Sequence, residues 1–122
     1  MHESSLVRTL LHQVSDLLIQ HHGESVEEIV IELGPLSGVE SLLVRSSFEL
    51  LAPDYSMQQT RLVIHEIPLE AKCRVCQSSF EIERFKFRCP SCGATDIQVV
   101  RGDEFRLINI SIKQPVAGNT AV

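Results

Sequence analysis

The chain has 122 residues, a hydrophobic fraction of 43% and a net charge of −5, enough for one modest core or for a small domain beside a metal-stapled one. No apolar run approaches the ~20 residues of a membrane span, and the N-terminus lacks the basic and then apolar stretch of a signal peptide. Residues 1–71 hold three basic against eleven acidic side chains, a balance of −8, whereas residues 72–122 hold eight against five, a balance of +3. That asymmetry fits either a polarised surface or two modules with separate partners.

Apolar residues at Leu6, Val7, Leu10, Leu11, Val14, Leu17 and Leu18 keep helical spacing. They predict a helix over 4–22, with Ser4 as its cap and Gly23 at its end. Val26–Leu33 predicts a strand with Ile29, Ile31 and Leu33 on one face, broken by Gly34-Pro35. Ser37-Gly38-Val39-Glu40 has the form of a capping box and opens a second helix that runs to Leu51, ahead of Pro53. Arg61–Ile67 is the next strand.

Ser79–Glu83 and Lys86–Arg88 suit the short hairpin of a zinc ribbon, Phe80, Phe85 and Phe87 suit its small core, and Ile97–Val100 suits a third small strand. Gly102 makes a turn, and Glu104–Ile112 follows as the clearest strand of the second half. There Ile108, Ile110 and Ile112 alternate with Arg106, Asn109 and Ser111 in a half-buried pattern. A ribbon is too small to supply that strand with a partner sheet, so the strand is expected to return to the N-terminal sheet. The expected class is therefore α+β: a small mixed β-sheet with two helices, carrying an inserted four-cysteine zinc ribbon. Boundaries fall at 1–70 and 103–114 for the larger domain, 71–102 for the ribbon and 115–122 for a frayed tail.

All four cysteines lie in two Cys-x-x-Cys pairs, Cys73/Cys76 and Cys89/Cys92, with twelve residues between the pairs. Four thiolates at that spacing can occupy the corners of a tetrahedron, which suits a closed, structural Zn(II) site. Two metal-like pairs with none left over also fit a reducing, cytoplasmic setting better than a disulfide framework. Iron of the rubredoxin type and a redox dithiol are the alternatives.

At the other end, Met1-His2-Glu3 offers a free α-amine, an amide nitrogen and an imidazole linked in order, with Glu3 able to add a fourth donor. A tetragonal nitrogen and oxygen set suits Ni(II) or Cu(II) rather than Zn(II). His12, His21 and His22 are expected at a solvated helix face or end, and His65 in a partly buried strand. Lys72, Arg74, Arg84, Lys86 and Arg88 could contact phosphates, but the acidic balance and few aromatics argue against nucleic acid. No Gly-rich phosphate loop, open zinc site or nucleophile with a recognisable base points to an enzyme.

Four stretches occur in one order: Met1-His2-Glu3-Ser4-Ser5-Leu6, Gly34-Pro35-Leu36-Ser37-Gly38-Val39-Glu40, the two cysteine pairs, and Gly102-Asp103-Glu104-Phe105. The pattern resembles the HypA/HybF family, the nickel metallochaperones of [NiFe]-hydrogenase maturation, over about residues 1–113. The resemblance implies a nickel-binding α/β domain with an inserted four-cysteine zinc domain. It implies Ni(II) as cargo on His2, with the Met1 amine and Glu3 beside it, and Zn(II) on Cys73, Cys76, Cys89 and Cys92. Glu40 matches a position where an acidic residue assists the nickel site, although the capping box already gives it a use. Gln98 stands where a relative can carry a further histidine ligand, which closes that route here.

The partners implied are a maturation GTPase of the same pathway and the hydrogenase large subunit, with urease maturation proteins left open. The exposed edge of the first helix, Arg8, His12 and Gln13, is the candidate docking surface for the GTPase. No nucleic acid or membrane partner is implied, and a monomer and a homodimer are equally compatible.

Overall fold

The computed structural model describes residues 2–115; Met1, the His2 side chain and residues 116–122, most of the expected tail, lie outside the described residues. The elements in order are α1 (His2–Gln20), β1 (Ser25–Leu33), α2 (Ser41–Leu51), β2 (Arg61–Glu66), β3 (Glu70–Cys73), β4 (Ser79–Glu81), β5 (Ile97–Arg101) and β6 (Phe105–Lys113). A 3-10 turn over Ala52–Tyr55 follows α2, with Pro53 in its first turn. None of the described helices is long and apolar enough to cross a membrane.

The strands form two sheets, ordered β2-β1-β6 and β4-β3-β5. In the first, Thr60 Oγ1 donates to the Val26 carbonyl at 2.7 Å and the Ile67 N–H donates to Leu33 at 3.1 Å. The constant offset means that β1 and β2 run parallel, with α2 as the crossover a parallel pair requires. Glu24 pairs with Lys113 and Gly34 with Glu104, so β6 runs antiparallel to β1 and the sheet is mixed. β6 thus returns to the N-terminal sheet, as its alternating pattern predicts.

The chain divides into two compact units. The first takes the described residues up to Ile31, Glu40–Ile64, and Leu107 onwards. Its core joins Val7, Leu10, Leu11 and Val14 of α1 to Val44 and Phe48 of α2 and Ile29 and Ile31 of β1, each at most 4% exposed. Burying such side chains is worth about 1.5–3 kcal/mol each. The second unit takes Glu32–Val39 and His65–Arg106. Its core is small: Leu69, Ala71 and Ile82, with Phe80, Ile97 and Val99 packed against them.

Several local expectations are overturned. α1 begins at His2, not Ser4, whose hydroxyl instead lies 3.4 Å from that of Ser47. α1 ends at Gln20, and the left-handed residue beyond it is His22 (φ 53), not Gly23. The Gly23 N–H bonds the Leu18 carbonyl and the His22 N–H bonds Ile19, the two bonds of a Schellman cap. Gly23 is needed for space, since a Cβ there would strike Ile112 and Leu18.

The capping box is also absent. Gly38 has φ 84, which no helical N1 residue can adopt, and Ser37 Oγ donates back to the Gly34 carbonyl at 2.7 Å. Glu40 is the N-cap of α2 in extended conformation, and its side chain makes no capping bond. Within the ribbon, β4 pairs antiparallel with β3 in the register Ala71↔Phe80, and residues 86–88 form no strand. β3 pairs with β5 on its other edge, Cys73 opposite Ile97. Phe85 and Phe87 are 59% and 41% exposed rather than core, Ile108 on the edge strand β6 is 44% exposed, and His65 is exposed.

Candidate metal centre

The ends of β3 and of the 82–89 loop each deliver a Cys-x-x-Cys turn, and the two turns have the same backbone. In one, the Gln77 N–H donates to the Cys73 carbonyl at 3.0 Å and the Cys73 N–H donates to Ser78 at 2.8 Å. In the other, Gly93 donates to Cys89 at 2.8 Å and Cys89 donates to Ala94 at 2.9 Å. The residue after each second cysteine is left-handed, Gln77 at φ 67 and Gly93 at φ 77. Each turn buries its first cysteine and exposes its second: Cys73 and Cys89 are buried, Cys76 and Cys92 exposed.

All four Sγ atoms lie within 4.8 Å of one another. Two pairs crossed between the turns lie near van der Waals contact, Cys73–Cys92 at 3.6 Å and Cys76–Cys89 at 3.5 Å. A tetrahedron with Zn–S of about 2.3 Å has edges of about 3.8 Å. The four sulfurs therefore fit a Zn(II) ion, and separations of 3.5 Å are far too long for a disulfide. Zinc bound there would add four metal–sulfur bonds to a unit with a three-residue buried core.

Hydrogen bonds already reach two of the sulfurs. The Val75 and Cys76 N–H groups both point at Cys73 Sγ, at 3.4 Å each. Cys76 Sγ lies 3.1 Å from the Ser78 hydroxyl. Bonds from the Ser78 side chain and backbone, and from Cys89, draw the Cys76 thiol down to about 6. Ala94 draws Cys92 in the same direction, but desolvation and the neighbouring thiols of Cys73, Cys76 and Cys89 outweigh it and push Cys92 up to about 12. In the metal-free cluster one exposed sulfur thus gives up its proton readily and its counterpart holds on. Ser78 and Ala94 were missed at the sequence level. The only hint is that each stands two places after its second cysteine.

The nickel candidates are less completely placed. Met1 and the His2 side chain lie outside the described residues. Glu3 sits half-buried in the first turn of α1, and Glu40 is exposed at the start of α2. The Ser4–Ser47 contact joins the first turn of α1 to a point seven residues, about 10 Å of helix, beyond Glu40. Among the described residues, the four cysteines are the one group of three or more His, Cys, Asp or Glu ligands that converges. Arg8, His12 and Gln13 are exposed on α1, with the His12 ring edge-on to Tyr55 at 5.1 Å.

Two helices on a mixed sheet, with a ribbon whose four cysteines converge on one point, define a candidate metal-binding protein. The profile of the family described as hydrogenase/urease nickel incorporation, metallochaperone, HypA matches residues 1–112, and the chain belongs to that family. Hydrogenase maturation factor HypA of Helicobacter hepaticus is 31% identical over 92% of this chain and 97% of its own. That of Azotobacter chroococcum is 31% identical over 93% and 100%. In fold, the chain is similar to the nickel metallochaperone HypA of Helicobacter pylori, with a TM-score of 0.69 at 21% identity, covering 93% of this chain and 98% of that one. A second HypA solution structure gives 0.72 at 23% identity, covering 92% and 96%.

Proposed function

We propose that the chain carries Ni(II) on Met1, His2 and Glu3, with Glu40 assisting, and passes it to the hydrogenase large subunit. It does so with a maturation GTPase of the same pathway, in the cytoplasm, while Cys73, Cys76, Cys89 and Cys92 hold a structural Zn(II). The ribbon over 71–102 is read as a module inserted into the nickel domain, 1–70 and 103–114. The observation that carries the reading is the family match over residues 1–112, which spans the N-terminal triad and both cysteine pairs.

Local physics is compatible with the nickel site. α1 starts at His2, so the amide N–H groups of its first turn have no intrahelical acceptor and are free for a metal to displace their protons. A helix N-terminus disfavours a cation. One deprotonated amide and the Glu3 carboxylate together cancel the charge of Ni(II), which removes that objection. The capping-box use of Glu40 is gone, because its side chain makes no capping bond.

The site requires a neutral α-amine with an ordinary pKa near about 8, so nickel binding should weaken as pH falls. The zinc, by contrast, is not cargo: its binding energy is folding energy for a unit with little core. Urease maturation proteins are further partners compatible with the family description.

The decisive experiment is calorimetry of Ni(II) on zinc-loaded protein with its native N-terminus, beside protein carrying one extra residue before Met1. Binding should be lost on extension with zinc unchanged. Equal nickel binding by both forms would overturn the N-terminal site.

A further inference from the structure

The turn Glu83-Arg84-Phe85-Lys86 is made from residues that such a turn does not favour. Arg84 and Phe85 both have positive φ, 55 and 57, and the Lys86 N–H donates to the Glu83 carbonyl at 3.1 Å. Those are the φ signs of a type I′ turn, whose preferred central pair is Asn-Gly. A bulky pair held there against local preference points to a requirement other than folding.

The side chains carry the same message. Phe85 and Phe87 are 59% and 41% exposed, with ring centroids 6.4 Å apart and planes tilted by 40°. Neither belongs to the cluster of Leu69, Ala71 and Ile82 that holds the ribbon together. Arg84, Lys86 and Arg88 alternate with the rings and are exposed. The ion pairs among the described residues use Arg61, Arg74, Arg101, Arg106 and Lys113, and none uses these three. A groove beside them is lined by Phe80, Pro90, Glu81, Glu83, Lys86 and Arg88.

We propose that residues 84–88 dock an acidic segment of a partner polypeptide. An apolar side chain of that segment lies against Phe85 and Phe87, and its carboxylates meet Arg84, Lys86 and Arg88. A polypeptide fits better than a nucleic acid. Glu81 and Glu83 line the same surface, so an unbroken run of phosphates would be repelled there, whereas a segment whose carboxylates are spaced about an apolar side chain can set them against Arg84, Lys86 and Arg88 alone. The surface is independent of the nickel site and would be present in a chain that bound no nickel.

The test is selection of a random 12-residue peptide display library on the zinc-loaded full chain, followed by titration of recovered peptides and of oligothymidylate. Recovered sequences should be rich in Asp and Glu beside Leu, Ile or Phe, and their binding should weaken with salt. Arg84→Glu with Lys86→Glu, and separately Phe85→Ser with Phe87→Ser, should each cost about tenfold or more in affinity. Lys113→Glu, a charge reversal elsewhere, should leave it unchanged. Zinc content and amide spectra establish that each variant is folded. Sequences without acidic bias, variants that bind as well as the parent, or tighter binding of oligothymidylate would each overturn the proposal.

Discussion

The two Cys-x-x-Cys turns share one hydrogen-bond pattern and differ in what fills it. One ends in Gly93, at φ 77, where a side chain would meet nothing within 4 Å. The other ends in Gln77, at φ 67, a conformation that costs an L-residue about 1–2 kcal/mol. Local preference explains the first turn and opposes the second. What the turns have in common is the need to aim two sulfurs at one point, so the ligand geometry dictates the backbone and the residue conforms to it. Donors differ as well. The Val75 and Cys76 N–H groups donate to Cys73 Sγ and the Ser78 hydroxyl bonds Cys76 Sγ, whereas desolvation and the three neighbouring thiols keep the proton on Cys92.

The largest expected effect comes from removing what the turns share. Chelation of zinc, or Cys73→Ser or Cys89→Ser at the buried positions, should abolish stoichiometric zinc and disperse β3, β4 and β5. Structural zinc sites are worth roughly 10–16 kcal/mol, more than the Leu69, Ala71 and Ile82 cluster can replace. Amide spectra should show the α1 and α2 signals retained. Cys76→Ser and Cys92→Ser leave their side chains in water and should weaken zinc less, read as faster loss to a chelator. Equal losses at buried and exposed positions would erase the distinction within each turn.

Exchanging the odd residues probes the equivalence of the turns at smaller scale. Gly93→Ala meets open space, so its cost is backbone strain alone, about 1 kcal/mol in chemical denaturation. Gln77→Gly relieves the same strain but gives up the 3.3 Å bond from Gln77 Nε2 to the Arg74 carbonyl and adds chain entropy. It should stabilise by about 0.5 kcal/mol. Opposite signs at equivalent positions are the expected outcome; the same sign at both would mean that the turns are not equivalent.

The metal ribbon was legible because metal chemistry restricts both residue type and spacing. β6 was legible because a strand with one apolar face needs a sheet, and the ribbon had none to offer. Helix starts were not. Ser4 and Ser37 look like caps, yet Ser4 faces Ser47 from within α1 and Ser37 bonds Gly34. A hydroxyl has several nearby acceptors, and only the tertiary structure chooses among them. β3 was missed because Glu70-Ala-Lys-Cys73 has little strand character of its own and becomes a strand by lying between β4 and β5. The ring positions of Phe85 and Phe87 were misjudged because hydrophobicity predicts burial only where a core exists to receive it.

The smallest effect concerns the two exposed sulfurs. In the ribbon just stripped of zinc, before β3, β4 and β5 disperse, Cys76 titrates near about 6, against about 8.5 for a free thiol, so it is the thiolate of the exposed pair at neutral pH. Its depressed value stabilises the fold fully above the unfolded pKa, and that contribution fades as pH falls through about 6. A short alkylation pulse begun at the moment of chelation, mapped by mass spectrometry, should therefore mark Cys76 well before Cys92, with a rate that rises through a midpoint near pH 6. Ser78→Ala removes the largest cause and should move that midpoint up towards the free-thiol value, leaving Cys92 slow. Were Cys92 to react first, the asymmetry between the turns would lie in accessibility, and the hydrogen bonds around Cys76 would have no part in loading the metal.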